Sequence, residues 1–300
     1  MFCLTLPLIV IVLWFVGAIT LCFRKWKIAS LLIAACLLLN WYSETIALRP
    51  FFGQGDGQIK VMTFNVNSPG TDFEKKKSEI IAQIEAEDPD FLYLPELGTA
   101  GNEVHERLKA AYPFTNAPLH LRDDGVEPFY SKWPIDTIIG LSDPHAYHSI
   151  YRMQVSQETD TLAIYCCHLS SNLLDFSPNK LDALQKGYDE RAKEADILYD
   201  ALTHEKYPAI VMGDMNDISG SYTLRKIESA GLLRQGSAGL TDAWWEGGFG
   251  YGTTYHDHGL RLRLDHILYD EDRLTLSDVK VIDTDASDHN ALVGGFRIEV

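Results

Sequence analysis

The sequence predicts an α/β fold with mixed or antiparallel sheets, preceded by a strongly apolar N-terminal segment. Short apolar runs typical of buried strands mix with a few stretches of helical spacing, and the two kinds do not alternate strictly. This order favours mixed sheets over a parallel barrel. An apolar fraction of 46% suits a packed core, and 300 residues suit one large domain or two small ones.

The first fifty residues differ sharply from the rest. Residues 4–23 hold no charged side chain and match the length of one bilayer span. A shorter apolar run, 28–42, ends in Trp41 and Tyr42, which are typical of a membrane interface. We predict that the two runs form the transmembrane hairpin of an anchor, residues 1–50. A cleaved signal peptide or a buried helix pair is the alternative, but the chain starts without a basic side chain and its first run is too long for a signal peptide.

A basic loop between the two runs predicts the orientation of the hairpin. Arg24, Lys25 and Lys27 lie there, and basic residues near membrane ends tend to stay in the cytoplasm. Both ends of the hairpin would then face outward. We therefore expect residues 51–300 to be a periplasmic or extracellular domain, tethered in a bacterium to the cytoplasmic membrane.

The domain that follows is strongly acidic. Four of the 26 basic and one of the 42 acidic side chains fall in the first fifty residues, which leaves the rest with a net charge of −19. Because a domain that binds a polyanion through its field should be basic, tight nonspecific binding of nucleic acid is disfavoured. A bound cation could still bring one phosphate group into an acidic site.

The predicted elements follow in chain order from these patterns. A Gly-rich break at 49–57 is a linker. Residues 73–87 have helical spacing and end before Asp88-Pro89, and the runs at 150–155 and 162–168 are typical of a hairpin. Helices are predicted at 73–87, 104–112 and 180–204, and strands at 59–66, 91–95, 127–131, 135–139, 150–155, 162–168, 209–212, 264–269, 279–282 and 292–300.

Polar and ionisable residues follow these strands directly. Asp214 and Asn216 stand in a Gly-Asp-Met-Asn string after the apolar run 209–212, where open α/β sheets bind ligands. Alone, such a string also makes ordinary turns. The other strand-end residues are Asn65, Glu96, His168, Asp265, Asp288 and His289.

Each of these residues has an ordinary structural explanation. Asn65 could cap a turn, Glu96 could be a solvated loop acid, and His168 could be a buried histidine with its hydrogen bonds satisfied. Asp265 could pair with Arg261 or Arg263. As a group they point to chemistry, because clustered carboxylates need a cation to neutralise them. Oxygen ligands without Cys–His spacing indicate Mg²⁺, with Mn²⁺ as an alternative, and such an ion polarises a phosphoryl oxygen.

Together the motifs resemble the endonuclease/exonuclease/phosphatase family, the superfamily of DNase I. The likeness spans residues 58–300 and rests on six stretches: Met-Thr-Phe-Asn-Val at 62–66, Leu-Pro-Glu at 94–96, Tyr-Ser-Lys-Trp-Pro-Ile at 130–135, Tyr-Cys-Cys-His-Leu at 165–169, Gly-Asp-Met-Asn at 213–216 and Ser-Asp-His at 287–289. The resemblance implies a four-layer α/β sandwich of two mixed β-sheets flanked by helices. Residues 51–300 would be the catalytic domain.

The resemblance also implies a role for each site residue. Glu96 would be the principal Mg²⁺ ligand, with Asn65 and Asp288 in the metal and water network. Asp214 would orient or deprotonate the attacking water, and Asn216 would position it and the phosphate. His289, held by Asp265, would contact the phosphate, and His168 would stabilise the transition state or assist protonation of the leaving group. Phosphoryl transfer needs mainly positioning and charge stabilisation.

Two positions depart from the family pattern or align loosely with it. Pro95 precedes Glu96 where the family often has Gln, so the surroundings of the metal would differ. Glu127 lies near the place where some members have a carboxylate behind the second histidine, and we predict it as a supporting partner of His168.

The predicted function is a membrane-tethered, Mg²⁺-dependent hydrolase of phosphate esters, most simply a phosphodiesterase. Its substrate would be nucleic acid, a phospholipid head group or a small phosphodiester, and no protein partner is inferred. The alternatives are an inactive family member acting as a binding or scaffold module, and a cytoplasmic DNA-repair nuclease. The intact constellation argues against the first, and the apolar N-terminus argues against the second.

Overall fold

A computed structural model describes residues 2–22, 26–49, 57–67, 73–117, 127–142, 149–172, 179–232, 239–257 and 259–299. The helices are α1 Phe2–Cys22, α2 Trp26–Ser43, α3 Phe73–Glu87, α4 Asn102–Leu108, α5 Lys180–Thr203, α6 Tyr222–Glu228 and α7 Ala243–Gly247. The strands are β1 Ala47–Leu48, β2 Ile59–Thr63, β3 Phe91–Tyr93, β4 Phe114–Thr115, β5 Phe129–Ser131, β6 Ile135–Gly140, β7 Ile150–Gln157, β8 Asp160–His168, β9 Ala209–Asp214, β10 Leu240–Asp242, β11 Phe249–Gly250, β12 Tyr255–Asp257, β13 Leu260–Leu262, β14 Asp265–Asp270, β15 Leu274–Ile282 and β16 Ala291–Ile298.

Two six-stranded sheets form the body of the domain. Their strand orders are β10-β14-β9-β8-β7-β6 and β15-β16-β2-β3-β5-β4. Only the pairs β2–β3 and β8–β9 are parallel among the described neighbours of these sheets; the others are antiparallel. Both sheets are therefore mixed, as the sequence predicts.

Helices cover the outer face of each sheet. Successive side chains of a strand point to opposite faces, so Val61 packs between the sheets while Met62 packs with Ile80 and Ile84 of α3. On the other sheet, buried side chains of β8 and β9 pack against α5. The order helix, sheet, sheet, helix confirms the expected four-layer sandwich.

Most predicted elements occur with shifted ends. The hairpin of β7 and β8 and the helix at 73–87 are confirmed. The first domain strand is shorter than predicted and ends at Thr63, although the Phe64 and Val66 amides still donate to the Tyr93 and Pro95 carbonyls. Sequence patterns missed the short helices α6 and α7, which begin at side-chain caps: Ser221 accepts from the Leu224 amide and Asp242 accepts from those of Trp244 and Trp245.

The two N-terminal helices pack against each other in opposite directions. The Cys36 thiol lies 3.7 Å from the Val10 carbonyl, and a Cβ on Gly17 would lie 3.5 Å from Ile33. Within the described chain, α2 is the helix long and apolar enough to cross a membrane, with a mean hydropathy of 1.3 over 18 residues. Arg24, Lys25 and most of the predicted linker lie outside the described residues.

Candidate active site

Strand ends from both sheets converge on one group of polar side chains. His168 ends β8, Asp214 ends β9 and Asp265 begins β14, and these three residues are register partners across neighbouring strands. From the other sheet, Asn65 follows β2 and Glu96 follows β3. The facing sheets therefore bring together residues that are far apart in the chain.

Asp214 lies at the centre of this group and is 1% exposed. Its Oδ2 accepts a hydrogen bond from Asn65 Nδ2 at 3.1 Å, and its Oδ1 accepts one from the Asn216 amide at 2.9 Å. Burial raises the pKa of Asp214, and the nearby Asp265 adds to this rise while the two histidines oppose it. The carboxylate is thus held in place by two donors and made more basic than usual.

The glycine before Asp214 is required by the approach of the neighbouring strand. Gly213 has φ +142°, and a Cβ at this position would lie 1.9 Å from the Cys167 carbonyl oxygen. No other residue fits there without moving β8 away from β9. Asn216 adopts φ +48° and donates its side-chain amide to the Leu169 carbonyl at 2.9 Å, which ties the loops after β8 and β9 together.

His289 is paired with Asp265 and faces Asp214. Its Nδ1 lies 2.7 Å from Asp265 Oδ2, and its Nε2 lies 3.7 Å from Asp214 Oδ2. Burial would lower the pKa of His289, but Asp265 and Asp214 outweigh it and raise that pKa to about 10. The two carboxylates therefore favour the protonated, cationic form of the ring. Arg263, the other predicted partner of Asp265, instead donates to Asp242 at 2.7 Å.

His168 is held in the same way on the opposite side of Asp214. Its Nδ1 lies 2.5 Å from Glu127 Oε1, and its Nε2 lies 3.8 Å from Glu96 and 4.0 Å from Asp214. Burial opposes its charge, but Glu127 and the other carboxylates raise the pKa of His168 to about 10. Glu127, which the sequence predicts only as a loosely aligned supporting partner, also accepts hydrogen bonds from Tyr93 at 2.6 Å and from Ser149.

Glu96 is the more open carboxylate of the group. Its side chain is 27% exposed, its backbone is left-handed at φ +59°, and burial raises its pKa. Asn65 Nδ2 donates to Glu96 Oε1 at 3.0 Å as well as to Asp214, while Asn65 Oδ1 accepts from the Asn67 amide. The Asn65 side-chain nitrogen thus orients two carboxylates, and its oxygen has a second lone pair beside the one that the Asn67 amide uses.

Asp288, the third predicted metal residue, is half-buried. Ser287 Oγ lies 3.3 Å from its Oδ1, and its carbonyl accepts a hydrogen bond from the His256 amide. Its negative charge helps to raise the pKa of His289. The described contacts therefore place Asp288 beside His289 and do not join it to Glu96.

The donor set fits a hard cation. Glu96 and Asp214 accept hydrogen bonds from the same Asn65 side-chain nitrogen, so the two carboxylates lie close together. A second group, Asp214, Asp265 and His289, has possible ligand atoms within 4.8 Å of one another. In addition, Asp265 Oδ1 is buried without a hydrogen-bond partner. Carboxylate oxygens in this number suit Mg²⁺ or Mn²⁺.

One supporting residue has no local signal in the sequence. Arg191 of α5 is 1% exposed and donates to the Ser170 carbonyl at 2.7 Å and to Asn172 Oδ1 at 2.9 Å. Its Nε also lies 3.4 Å from Asp217 Oδ2. Arg191 thus joins the loop that follows His168 to the loop that follows Asp214. The sequence pattern of α5 predicts only a charged amphipathic helix and does not single out this residue.

Comparisons with known proteins agree with this geometry. A family model described as the endonuclease/exonuclease/phosphatase family matches residues 62–289. Among curated proteins, none matches the sequence significantly.

Several solved structures share the fold. TDP2 from D. rerio, complexed with a single-strand DNA product, matches with a TM-score of 0.61 and 18% identity, covering 79% of this chain and 98% of that one. The catalytic domain of human Nocturnin with a bound sulfate gives 0.58 and 18%, covering 80% and 94%. A beta toxin variant from Staphylococcus aureus with bound magnesium ions gives 0.55 and 14%, covering 80% and 99%. Because these sequence identities are low, the matches are evidence for the fold alone.

Proposed function

The chain belongs to the endonuclease/exonuclease/phosphatase family, and we propose that it is a Mg²⁺-dependent phosphodiesterase tethered to a membrane. The family resemblance predicted from the sequence is thereby confirmed. One observation carries the proposal: the buried Asp214 carboxylate lies between two imidazole rings, with His289 Nε2 at 3.7 Å and His168 Nε2 at 4.0 Å. A basic carboxylate flanked by two cations suits attack of water on a phosphate ester.

Each residue has a defined task in this proposal. Asp214, held by Asn65 and Asn216, orients and deprotonates the attacking water. The imidazolium of His289, fixed by Asp265, binds a phosphoryl oxygen. The imidazolium of His168 stabilises the negative charge that develops on the transferring group or on the leaving oxygen.

Glu96 would hold the metal ion, since its side chain is more exposed than those of Asp214 and Asp265. When bound, Mg²⁺ polarises a phosphoryl oxygen and neutralises part of its charge. The bound magnesium of the beta toxin structure supports this choice of ion. Asp288 would act through the water and charge network around His289.

A phosphodiester substrate agrees with what the similar structures contain. TDP2 was solved with a single-strand DNA product, and Nocturnin with a sulfate, which resembles a phosphate group. Nucleic acid, a phospholipid head group and a small diester all present the same phosphoryl centre. The net charge of −19 in the domain weighs against long duplex DNA.

The membrane tether is part of the proposal. Its support is the apolar helix α2 and the basic residues before it, which favour a domain outside the cytoplasm. Protease added to spheroplasts should digest residues 57–299. Complete protection of the domain, with digestion restored after lysis, would place it on the cytoplasmic side and overturn the orientation.

The decisive experiment measures hydrolysis by the full chain in detergent with Mg²⁺ on bis-p-nitrophenyl phosphate, plasmid DNA and sphingomyelin. We expect Asp214→Ala and His289→Ala to lose activity. Asp200→Ala and His204→Ala are the matched controls, because this exposed pair at the end of α5 has side chains 84% and 76% exposed. Full activity of both site variants would refute the mechanism, and no activity of the wild type on any ester would favour the scaffold alternative.

A further inference from the structure

The end of α2 joins the domain through an ordered turn. Asn40 Nδ2 donates to the Ile46 carbonyl and Asn40 Oδ1 accepts from the Ile46 amide, both at 2.9 Å. Glu44 takes the left-handed conformation at φ +49°, and its amide donates to the Asn40 carbonyl. Ala47, three residues after Glu44, is buried in the core between the sheets. An ordered turn therefore leads directly from α2 into β1, which pairs with β11 of the domain.

The same turn rests on the loop that carries the catalytic residues. A Cβ on Gly220, at φ +73°, would lie 2.9 Å from the Ser43 carbonyl oxygen. Arg225 donates to the Tyr42 carbonyl and stacks over the Tyr42 ring at 4.2 Å. Gly220 is the fourth residue after Asn216, and four extended residues span at most about 14 Å. The catalytic loop is therefore close to the point where α2 ends.

Exposed apolar side chains lie on α2 and on nearby elements of the domain, β1, β11 and α6. We name Trp41, Leu48, Tyr222 and Phe249 the junction rim; they are 71%, 50%, 58% and 63% exposed. Leu48 and Phe249 are register partners on β1 and β11, and Tyr222 lies one turn before Arg225 on α6. Single exposed apolar residues are common, but a group of them marks an interaction surface.

We infer that the junction rim docks into the interfacial region of the lipid bilayer and holds the catalytic loop at the membrane surface. We identify the bilayer as the partner of the rim because the rim adjoins the end of α2, the apolar helix of the proposed tether. Two of its residues, Trp41 and Tyr222, are of the types that prefer the head-group level. Since the domain is acidic, docking relies on apolar burial rather than on attraction to anionic lipid. This inference depends on the membrane tether proposed above and adds to it the contact between the rim and the bilayer.

Photo-crosslinking tests the docking directly. The full chain is placed in phosphatidylcholine vesicles that contain a lipid with a photoreactive group at head-group depth, and labelled peptides are identified by mass spectrometry. We expect labelling at residues 44–49, 222 and 249, unchanged by raised salt. The double variant Leu48→Ser/Phe249→Ser should lose about tenfold in labelling at these sites, because two large apolar side chains no longer favour the bilayer.

Ile138→Ser/Ile139→Ser is the matched control. These side chains are 45% and 43% exposed on β6, at the opposite edge of the sheet from β10. The wild-type β6 peptide should remain unlabelled, and the control variant should label at the rim like the wild type. Equal labelling of β6 and the rim, or no labelling at Leu48, Tyr222 and Phe249 while α2 is labelled, would overturn the docking.

The outcomes separate the docking from the proposed function. Crosslinking does not depend on catalysis, so a chain that labels at the rim and hydrolyses no diester contradicts the function only. A chain that hydrolyses bis-p-nitrophenyl phosphate and labels only in α2 contradicts the docking only. Labelling absent from α2 as well would contradict the tether on which both rest.

Discussion

Replacing Arg191 by Met tests how the two catalytic loops are held. The guanidinium is 1% exposed and contacts the loop after β8 through the Ser170 carbonyl and Asn172, and the loop after β9 through Asp217. Asp217 is 3% exposed and would lose its cation. Removing one partner of a buried ion pair costs about 3–5 kcal/mol. For a domain of this size we expect the melting temperature to fall by about 6–20 °C.

Thermal unfolding of the full chain in detergent, followed by tryptophan fluorescence, measures this loss. Lys193→Met is the matched control, because Lys193 lies on the same helix with its side chain 67% exposed. Below the melting transition, Arg191→Met should lower kcat on bis-p-nitrophenyl phosphate more than it raises KM, since the loops position catalytic groups. The control should change neither quantity.

A double-mutant cycle decides whether the pair acts as a unit. Asp217 keeps hydrogen bonds from Thr223 Oγ1 at 2.8 Å and from the Ile218 amide at 3.0 Å. In Arg191→Met/Asp217→Asn no buried charge is left alone, so the double variant should be more stable than the sum of the single losses predicts. Simple additivity within about 0.5 kcal/mol would refute the coupling.

Three further predictions concern charge and metal. Glu127→Gln removes the charge that raises the pKa of His168 to about 10, so burial will lower that pKa; the descending limb of the kcat/KM profile should move to lower pH, and an unchanged profile would contradict a cationic role. Burial, Glu44 and Asp242 raise the pKa of Glu228 to about 8. The folded state therefore binds more protons than the unfolded state between about pH 4.5 and 8, and it loses stability as the pH rises through this range. Glu228→Gln should flatten this loss in melting curves recorded across the range, and a slope like that of the wild type would contradict the prediction. EDTA should abolish hydrolysis and Mg²⁺ restore it, with Glu96→Gln needing at least roughly tenfold more Mg²⁺; equal Mg²⁺ titrations would remove Glu96 from the metal site.

Local patterns were sufficient for much of the fold. The hairpin of β7 and β8 and the strand that ends at Asp214 are short apolar runs bounded by turn residues. This pattern is typical of a buried strand whatever the rest of the fold. The short helices α6 and α7 escaped detection, because helices of five to seven residues depend on tertiary packing and caps rather than on periodicity.

The sequence by itself determined which chemical groups stand at the strand ends, since Asp214, His168 and Glu96 each follow an apolar run directly. Only the tertiary structure decided how these groups are held: Asn65 bridges two carboxylates from different strands, Tyr93 and Ser149 hold the Glu127 carboxylate behind His168, and Arg191 reaches both loops from α5. The physical reason is the separation along the chain of the residues that interact. Strand formation follows from neighbouring side chains, whereas hydrogen bonds and pKa shifts at the site depend on which sheet edges the packed core brings within a few ångströms.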